Sequence, residues 1–238
     1  MRIGINRPNF CPWLGFMALV DWVDTFVILD NILISNSASF FLRNRILDPN
    51  GGPKWFGVSK QKTPHSQIPV KDVLLSESDW RQKLVQRFQA YYRKAPYFKT
   101  LGPAIAGALQ NPEPKLARYN TQTLQVLCEI LGIQTSFQYA SEMMDDPGDD
   151  AQSRIIQLCL ICDGTQYFNG RDGVERGLYN AESFESQGLV LFKQSYKHPT
   201  YSQAAEPFQP YLSVVDLLMH CGPDSLEILR SGQTWERV

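Results

Sequence analysis

No excess of charge, no long apolar run and no familiar catalytic signature marks this chain, and each absence narrows what it can be. Lys and Arg number 23 against 24 Asp and Glu, a formal charge of −1. Such a chain has no global field to hold a polyanion against salt, so nucleic acid is not expected as a partner. No stretch approaches the ~20 apolar residues needed to span a bilayer. Met1-Arg-Ile-Gly-Ile5 lacks the apolar core of a signal peptide. A cytoplasmic protein without membrane insertion is therefore expected. The five cysteines, Cys11, Cys128, Cys159, Cys162 and Cys221, are odd in number and irregularly spaced, which argues against a disulfide framework. Cys159-Leu-Ile-Cys162 has CxxC spacing but neither a second pair nor a nearby histidine, so buried structural thiols are expected there rather than a zinc or redox centre. The chain has no G-x-x-x-x-G-K-[ST], no complete G-x-G-x-x-G, no H-E-x-x-H and no G-x-S-x-G. P-loop, dinucleotide-motif, zincin and hydrolase readings lose support accordingly.

What is present is an ordinary globular composition, 43% hydrophobic and 20% charged over 238 residues, enough for one large α/β domain spanning 1–238. The pattern predicts a strand at 2–6, a Pro-containing loop at 7–12, a helix at 13–22 and a strand at 25–30, a βαβ unit with parallel strands. Residues 31–53 read as a long Asn/Ser-rich loop closed by the turn Asn50-Gly-Gly-Pro53, and 54–59 as another strand. Ser76-Glu-Ser-Asp79 reads as a capping box ahead of a helix over about 78–94. Its basic residues Arg81, Lys83, Arg87, Arg93 and Lys94 read as a solvated face. Helices at 97–110 and 114–131 follow, the second stopped at Gly132, and make a helical subregion at about 76–132. Strands at 133–139, 165–168 and 188–194 then alternate with a helix at 151–163, an acidic loop at Asp145–Asp150, a Gly-rich loop at 169–177, and helices near 213–221 and 224–231. The fold class expected is a mostly parallel, doubly wound (Rossmann/HUP-like) sheet with a helical insert in the middle of the chain. Ligands of such sheets bind beyond the carboxyl ends of the strands, which would gather the loops at 6–13, 30–45, 139–150 and 169–175 around one crevice.

Within that crevice the segment from Asn6 to Gly15 is the first candidate site. Free N–H groups at a helix start attract phosphate or carboxylate, Asn6 and Asn9 add neutral donors, and Gly15 would let a ligand or a strand come close to the helix backbone. Asp30, ending the second strand, would bind a hydroxyl or amine or ligate Mg²⁺. Arg43-Asn44-Arg45 offers donors for a phosphate or carboxylate. Of three histidines, His198 in the loop after the last strand is the one suited to act as general acid or base; His65 and His220 read as ordinary. Each feature has a structural alternative: a well-capped βα turn, a turn cap at Asp30, a salt-bridged loop at 43–45.

Seven segments taken together carry a resemblance: Asn6-Arg-Pro-Asn-Phe-Cys-Pro-Trp-Leu-Gly15, Phe26-Val-Ile-Leu-Asp30, Arg43-Asn-Arg-Ile46, Ala95-Pro-Tyr-Phe98, Ser153-Arg-Ile-Ile156, His198-Pro-Thr-Tyr201 and Ser213-Val-Val-Asp216-Leu-Leu. In order and spacing the chain resembles the WbqC-like family over essentially its whole length. The resemblance implies a transferase of surface-glycan, O-antigen or small-metabolite biosynthesis, moving an acyl, aminoacyl or nucleotidyl group onto a sugar- or amino-acid-derived acceptor. It implies substrate contacts from Asn6, Asn9, Trp13, Gly15, Arg43, Asn44, Arg45, Ser153 and Arg154, with His198 and Asp30 in catalytic roles. The partner would be a small molecule such as a nucleotide sugar or amino acid, and the cofactor is open between a nucleotide, Mg²⁺ and none. The family commonly opens with His-Gln-Pro-Asn and follows its second strand with an acidic pair; this chain has Asn6-Arg7-Pro8-Asn9 and Asp30-Asn31, and Leu33 where Gln is common. Losing an imidazole and a carboxylate means that the chemistry relies on positioning or that the substrate has shifted, and it gives weight to a hypothesis of another class, a non-catalytic binding or scaffold subunit of a glycan-assembly pathway.

Overall fold

The computed structural model describes residues 1–34, 40–62, 68–144 and 150–238. His65, the middle of the Asn/Ser-rich stretch and most of the acidic loop fall outside them.

Strand β1 (Arg2–Asn6) leads through α1 (Leu14–Trp22) to β2 (Thr25–Ile28), and the two strands pair in parallel with Ile3 opposite Thr25. This is the βαβ unit the pattern predicts. Further along come β5 (Ser136–Tyr139), β6 (Gln166–Asn169), β7 (Val190–Tyr196) and β8 (Gln233–Arg237), and the six strands form one sheet in the order β5-β2-β1-β6-β7-β8. All neighbours are parallel except β7 and β8, which are antiparallel. The architecture is therefore mixed α/β around a mostly parallel six-stranded sheet. Chain order runs outward on both sides of β1 and β6, so the direction of winding reverses between those two strands.

Alternation along β1 divides the interior. Ile3 and Ile5 join one core with Ile155, Leu158 and Cys159 of α6 (Ala151–Ile161) and with Tyr167 and Phe184. On the other face α1 packs with α9 (Val214–Cys221) and with the helices α2 (Trp80–Tyr92), α3 (Phe98–Leu109) and α4 (Leu116–Leu131) in a larger core. Burying a side chain such as Phe26 or Leu14 there stabilises by about 1.5–3 kcal/mol. The three central helices are the predicted helical subregion, and α4 stops at Gly132 as expected, with φ +77°. No helix among the described residues is long and apolar enough to cross a membrane. The five cysteines are free and buried, and burial pushes the Cys159 and Cys162 thiols up, as suits structural thiols.

Three expectations are corrected. Residues 43–48, read as loop, form β3 (Arg43–Asp48), which pairs antiparallel with β4 (Gly52–Gly57) in a separate hairpin outside the main sheet. Its alternation was disguised because a buried position carries Asn44 rather than an apolar residue. The capping box does not form: Asp79 is the N-cap without a side-chain cap bond, and Ser76 Oγ instead accepts from the Ser78 N–H at 3.2 Å. Residues 171–175 form a short helix, α7 (Arg171–Glu175), within what reads as a Gly-rich loop. β8 was not anticipated either.

Candidate functional site

The loop after β1 is held from behind by two buried asparagines. Asn120 of α4 donates through Nδ2 to the carbonyls of Pro8 and Phe41, both at 2.8 Å. Asn44 of β3 donates to the carbonyls of Cys11 at 2.9 Å and Phe10 at 3.4 Å. Each bond satisfies a carbonyl that would otherwise be buried unpaired at a cost of about 1–3 kcal/mol. The loop is thus fixed by its neighbours, with Asn6, Arg7, Asn9 and Trp13 left on its outer side.

Those four residues line a cavity of about 900 Å³ beyond the carboxyl ends of the parallel strands. That volume lies within the range of about 300–1,000 Å³ typical of small-molecule sites. The last residues of β1, β6 and β7, Asn6, Asn169 and Tyr196, all line it, so it sits where the winding reverses, the place where open α/β sheets bind ligands. The cavity straddles the sheet edge and has two unlike halves.

On the α1 side the wall is aromatic. Trp13 meets Tyr196 edge-on at 5.5 Å and Tyr211 at 5.6 Å, and His198 stacks behind it at 6.4 Å. A Cβ on Gly15 would lie 2.2 Å from the Trp13 ring, so only glycine admits this wall. Beside it Gln194, nearly wholly buried, donates through Nε2 to the Gly15 carbonyl at 2.8 Å. On the α6 side the wall is basic: Arg7, Arg154 and Arg176 stand with Asn169 and Tyr179. No carboxylate is among the described residues that line the cavity. Burial raises the Tyr179 pKa, opposed by its side-chain hydrogen-bonding to Tyr167 and Asn169 and, less strongly, by the charges of Arg7 and Arg154. A second hollow of about 410 Å³ lies beside Arg2, Trp22 and Gln233, at the opposite end of β1 from the carboxyl ends of the parallel strands. The larger cavity is the candidate site.

Comparison with protein families matches residues 7–228 to the WbqC-like protein family. The chain belongs to that family. It is also similar to an uncharacterized protein of Mycobacterium tuberculosis strain H37Rv, Rv1507c, at 25% identity over 231 residues, covering 96% of this chain and 97% of the relative. No solved structure matches it.

The residues nominated for this WbqC-like chain fall into two sets. Asn6, Asn9, Trp13 and Arg154 line the cavity, and Gly15 supports Trp13 from below. The rest stand elsewhere. The Asp30 carboxylate is buried and accepts from the Ser141 N–H at 2.9 Å and the Ser141 hydroxyl at 2.7 Å, a cap on α5 (Ala140–Met143), in place of the expected acceptor or Mg²⁺ contact. Among the described residues no group of three or more His, Cys, Asp or Glu is placed to hold a metal ion. Arg43 lies over the Trp55 ring at 4.2 Å, and Arg45 donates to the Tyr211 carbonyl at 3.1 Å. With Asn44 they do structural work, through a ring and backbone carbonyls on a strand rather than as the salt-bridged loop that was the alternative. Ser153 is exposed, its N–H donating to the Asp150 cap of α6 at 2.7 Å.

His198 likewise lies behind the wall. Its Nδ1 hydrogen-bonds the Pro199 carbonyl at 2.8 Å and its Nε2 accepts from the Tyr211 N–H at 3.1 Å. Desolvation lowers its pKa, favouring the neutral ring this pattern requires. With both nitrogens engaged, the imidazole positions Tyr211 and has no nitrogen directed at the cavity. The segment from 201 to 211 is further tied by the buried Asp216 carboxylate, which accepts from Tyr92 at 2.9 Å, Tyr201 at 3.0 Å and Gln203 at 3.2 Å. Sequence reasoning passed over Arg7, Asn169, Tyr179, Gln194, Tyr196 and Tyr211. Their signal is position: several sit at or just past strand ends, which becomes visible only once the strand boundaries are placed.

Proposed function

We propose that this WbqC-like chain is a transferase of surface-glycan or small-metabolite biosynthesis, moving an acyl, aminoacyl or nucleotidyl group from a phosphate-bearing donor onto a sugar- or amino-acid-derived acceptor. The observation that carries the reading is the two-sided cavity at the β1/β6 reversal. Its arginine wall suits an anionic group, because guanidinium pairs with phosphate through charge-assisted bonds, and its aromatic wall suits a planar or ring-shaped one. We read the sheet as Rossmann/HUP-like on the strength of its order, which counted within the sheet is 3-2-1-4-5-6. The roles follow the geometry. Asn6 and Asn9 hold the ligand over the tip of β1, Arg7 and Arg154 take its charge, and Trp13 with Tyr211 takes its ring. Among the described lining residues the groups available are neutral donors and guanidinium ions, and rate acceleration comes from orientation and from preorganised donors facing developing charge.

Asn6 and Asn31, which stand where the family usually has a histidine and an acidic residue, support a second reading, a binding or scaffold subunit that holds an activated intermediate without transforming it. One experiment separates the two from each other and from neither. A thermal-shift panel of nucleotides, nucleotide sugars, aminoacyl nucleotides and acyl-CoA identifies the ligand: at about 100 times its dissociation constant it stabilises by ~2.7 kcal/mol, about 5–10 °C in a domain of this size. Turnover of the stabilising compound in the presence of amino-acid or amino-sugar acceptors supports the transferase; stabilisation without turnover supports the subunit. A panel with no shift overturns both.

A further inference from the structure

One polar side chain beside the aromatic wall has its hydrogen-bonding direction fixed by valence. Gln194 of β7 is nearly wholly buried and lines the cavity. Its Nε2 donates to the Gly15 carbonyl at 2.8 Å and to Gln233 Oε1 at 3.3 Å. A carbonyl only accepts, so the amide nitrogen and not its oxygen must face Gly15, and two bonds use both amide protons. The Gln194 Oε1 is what remains, and it accepts from no group among the described residues. Asn120 Oδ1 and Trp235 Nε1 are sealed inside the protein without a partner; Gln194 Oε1 is not sealed, and of the two hollows described its residue borders this one.

The bond to Gly15 is not needed to satisfy that carbonyl. Gly15 stands in the first turn of α1, where a carbonyl already accepts from the N–H four residues further on. A methionine would fill the same space without burying an amide. What the two bonds do is hold the amide still. Gly15 is also the residue whose missing Cβ makes room for the Trp13 ring. The free acceptor and the aromatic wall therefore stand on one support and keep a fixed position relative to each other, the preorganisation that a recognition site requires.

We propose that Gln194 determines ligand specificity: its Oε1 accepts from an N–H or O–H at the edge of the ligand ring that lies against Trp13 and Tyr211. The inference rests on the reading of the cavity as the site of a phosphate-bearing ligand, and it names the chemistry of that ligand's ring. The imide N–H of a base or a hydroxyl of a sugar meets the acceptor. A ring without a donor leaves Oε1 buried and unpaired, and is rejected for that reason. Among the donors considered above, this favours a nucleotide or nucleotide sugar over a simple acyl phosphate.

The test is calorimetric titration of the wild-type protein, Arg7→Gln and Gln194→Met with inorganic pyrophosphate, UDP, N3-methyluridine diphosphate and UDP-glucose. If a base supplies the donor, wild type prefers UDP to its N3-methyl analogue by about tenfold; if a sugar supplies it, wild type prefers UDP-glucose to UDP by a similar factor. Gln194→Met should abolish whichever preference is found while binding pyrophosphate, which has no ring, as wild type does. A merely structural role would weaken every ligand by one factor and leave the preference intact, which overturns the proposal. Gln194→Asn, which withdraws the amide oxygen by one methylene, gives the same reading should the methionine variant not fold. If wild type does not bind pyrophosphate, or Arg7→Gln binds it equally well, the site reading fails and this proposal with it. If Arg7→Gln weakens pyrophosphate binding but wild type shows neither preference, the site stands and the role of Gln194 is overturned.

Discussion

Two clusters of polar side chains border the loop after β1, and they do opposite work. In the β3–β4 hairpin Asn44 and Arg45 spend their donors on protein carbonyls, those of Cys11, Phe10 and Tyr211, and Arg43 spends its charge on the Trp55 ring. At the tip of β1, Asn6, Arg7 and Asn9 face a cavity. The hairpin has the residue types of an anion site and the strand tips have the position of one. Position decides, because a donor already satisfied by the protein has little left to offer a ligand.

The comparison predicts that hairpin substitutions cost stability and strand-tip substitutions cost binding. The largest effect belongs to Asn44→Ala, which leaves the carbonyls of Phe10 and Cys11 without their donor inside the protein; a loss of about 3 kcal/mol is expected from urea denaturation. A loss under about 0.5 kcal/mol, the level of an ordinary surface change, would erase the distinction. Next comes Arg7→Gln, an exposed residue at the loop's outer side. It should leave the denaturation midpoint within about 0.5 kcal/mol of wild type while weakening pyrophosphate binding about tenfold, equivalent to ~1.4 kcal/mol. If the arginine instead destabilises the fold and spares binding, the two clusters have been assigned the wrong way round.

The smallest effect concerns His198, which sits between the clusters. Its folded pKa lies below the ordinary value of 6.5 because burial disfavours the charged ring. The unfolded chain therefore binds more protons near that pH, so stability rises with pH there. The contribution of the neutral ring is complete above the unfolded pKa and is lost as pH falls through 6.5 towards the folded value. Denaturation of wild type and His198→Gln across that window should show the wild type losing its advantage as acid is added. Parallel curves would mean that the imidazole is not held neutral behind Trp13.

Much of the fold was legible because its signals are periodic. The βαβ start, the three central helices, the stop at Gly132 and the crevice at the carboxyl ends of the strands all follow from apolar spacing and the handedness of parallel connections. The hairpin was not, since Asn44 is buried for its hydrogen bonds and a period-2 pattern does not survive a polar residue at an inward position. The site was legible in part. Asn6, Asn9 and Trp13 lie next to the turn that brings them to the cavity, whereas Gln194 reaches the Gly15 carbonyl from 179 positions away and the Tyr179 ring meets that of Tyr167 across α7. Side chains joined only by strand order leave no local trace in a sequence.

The central claim is that the cavity at the β1/β6 reversal is where this WbqC-like protein holds a phosphate-bearing ligand. Crystals soaked with UDP-glucose test it most directly. The diphosphate should lie against Arg7 and Arg154 over the tip of β1, with a ring on Trp13 and Tyr211. Density for the nucleotide sugar at any other place, with the cavity left empty at saturating concentration, would contradict it.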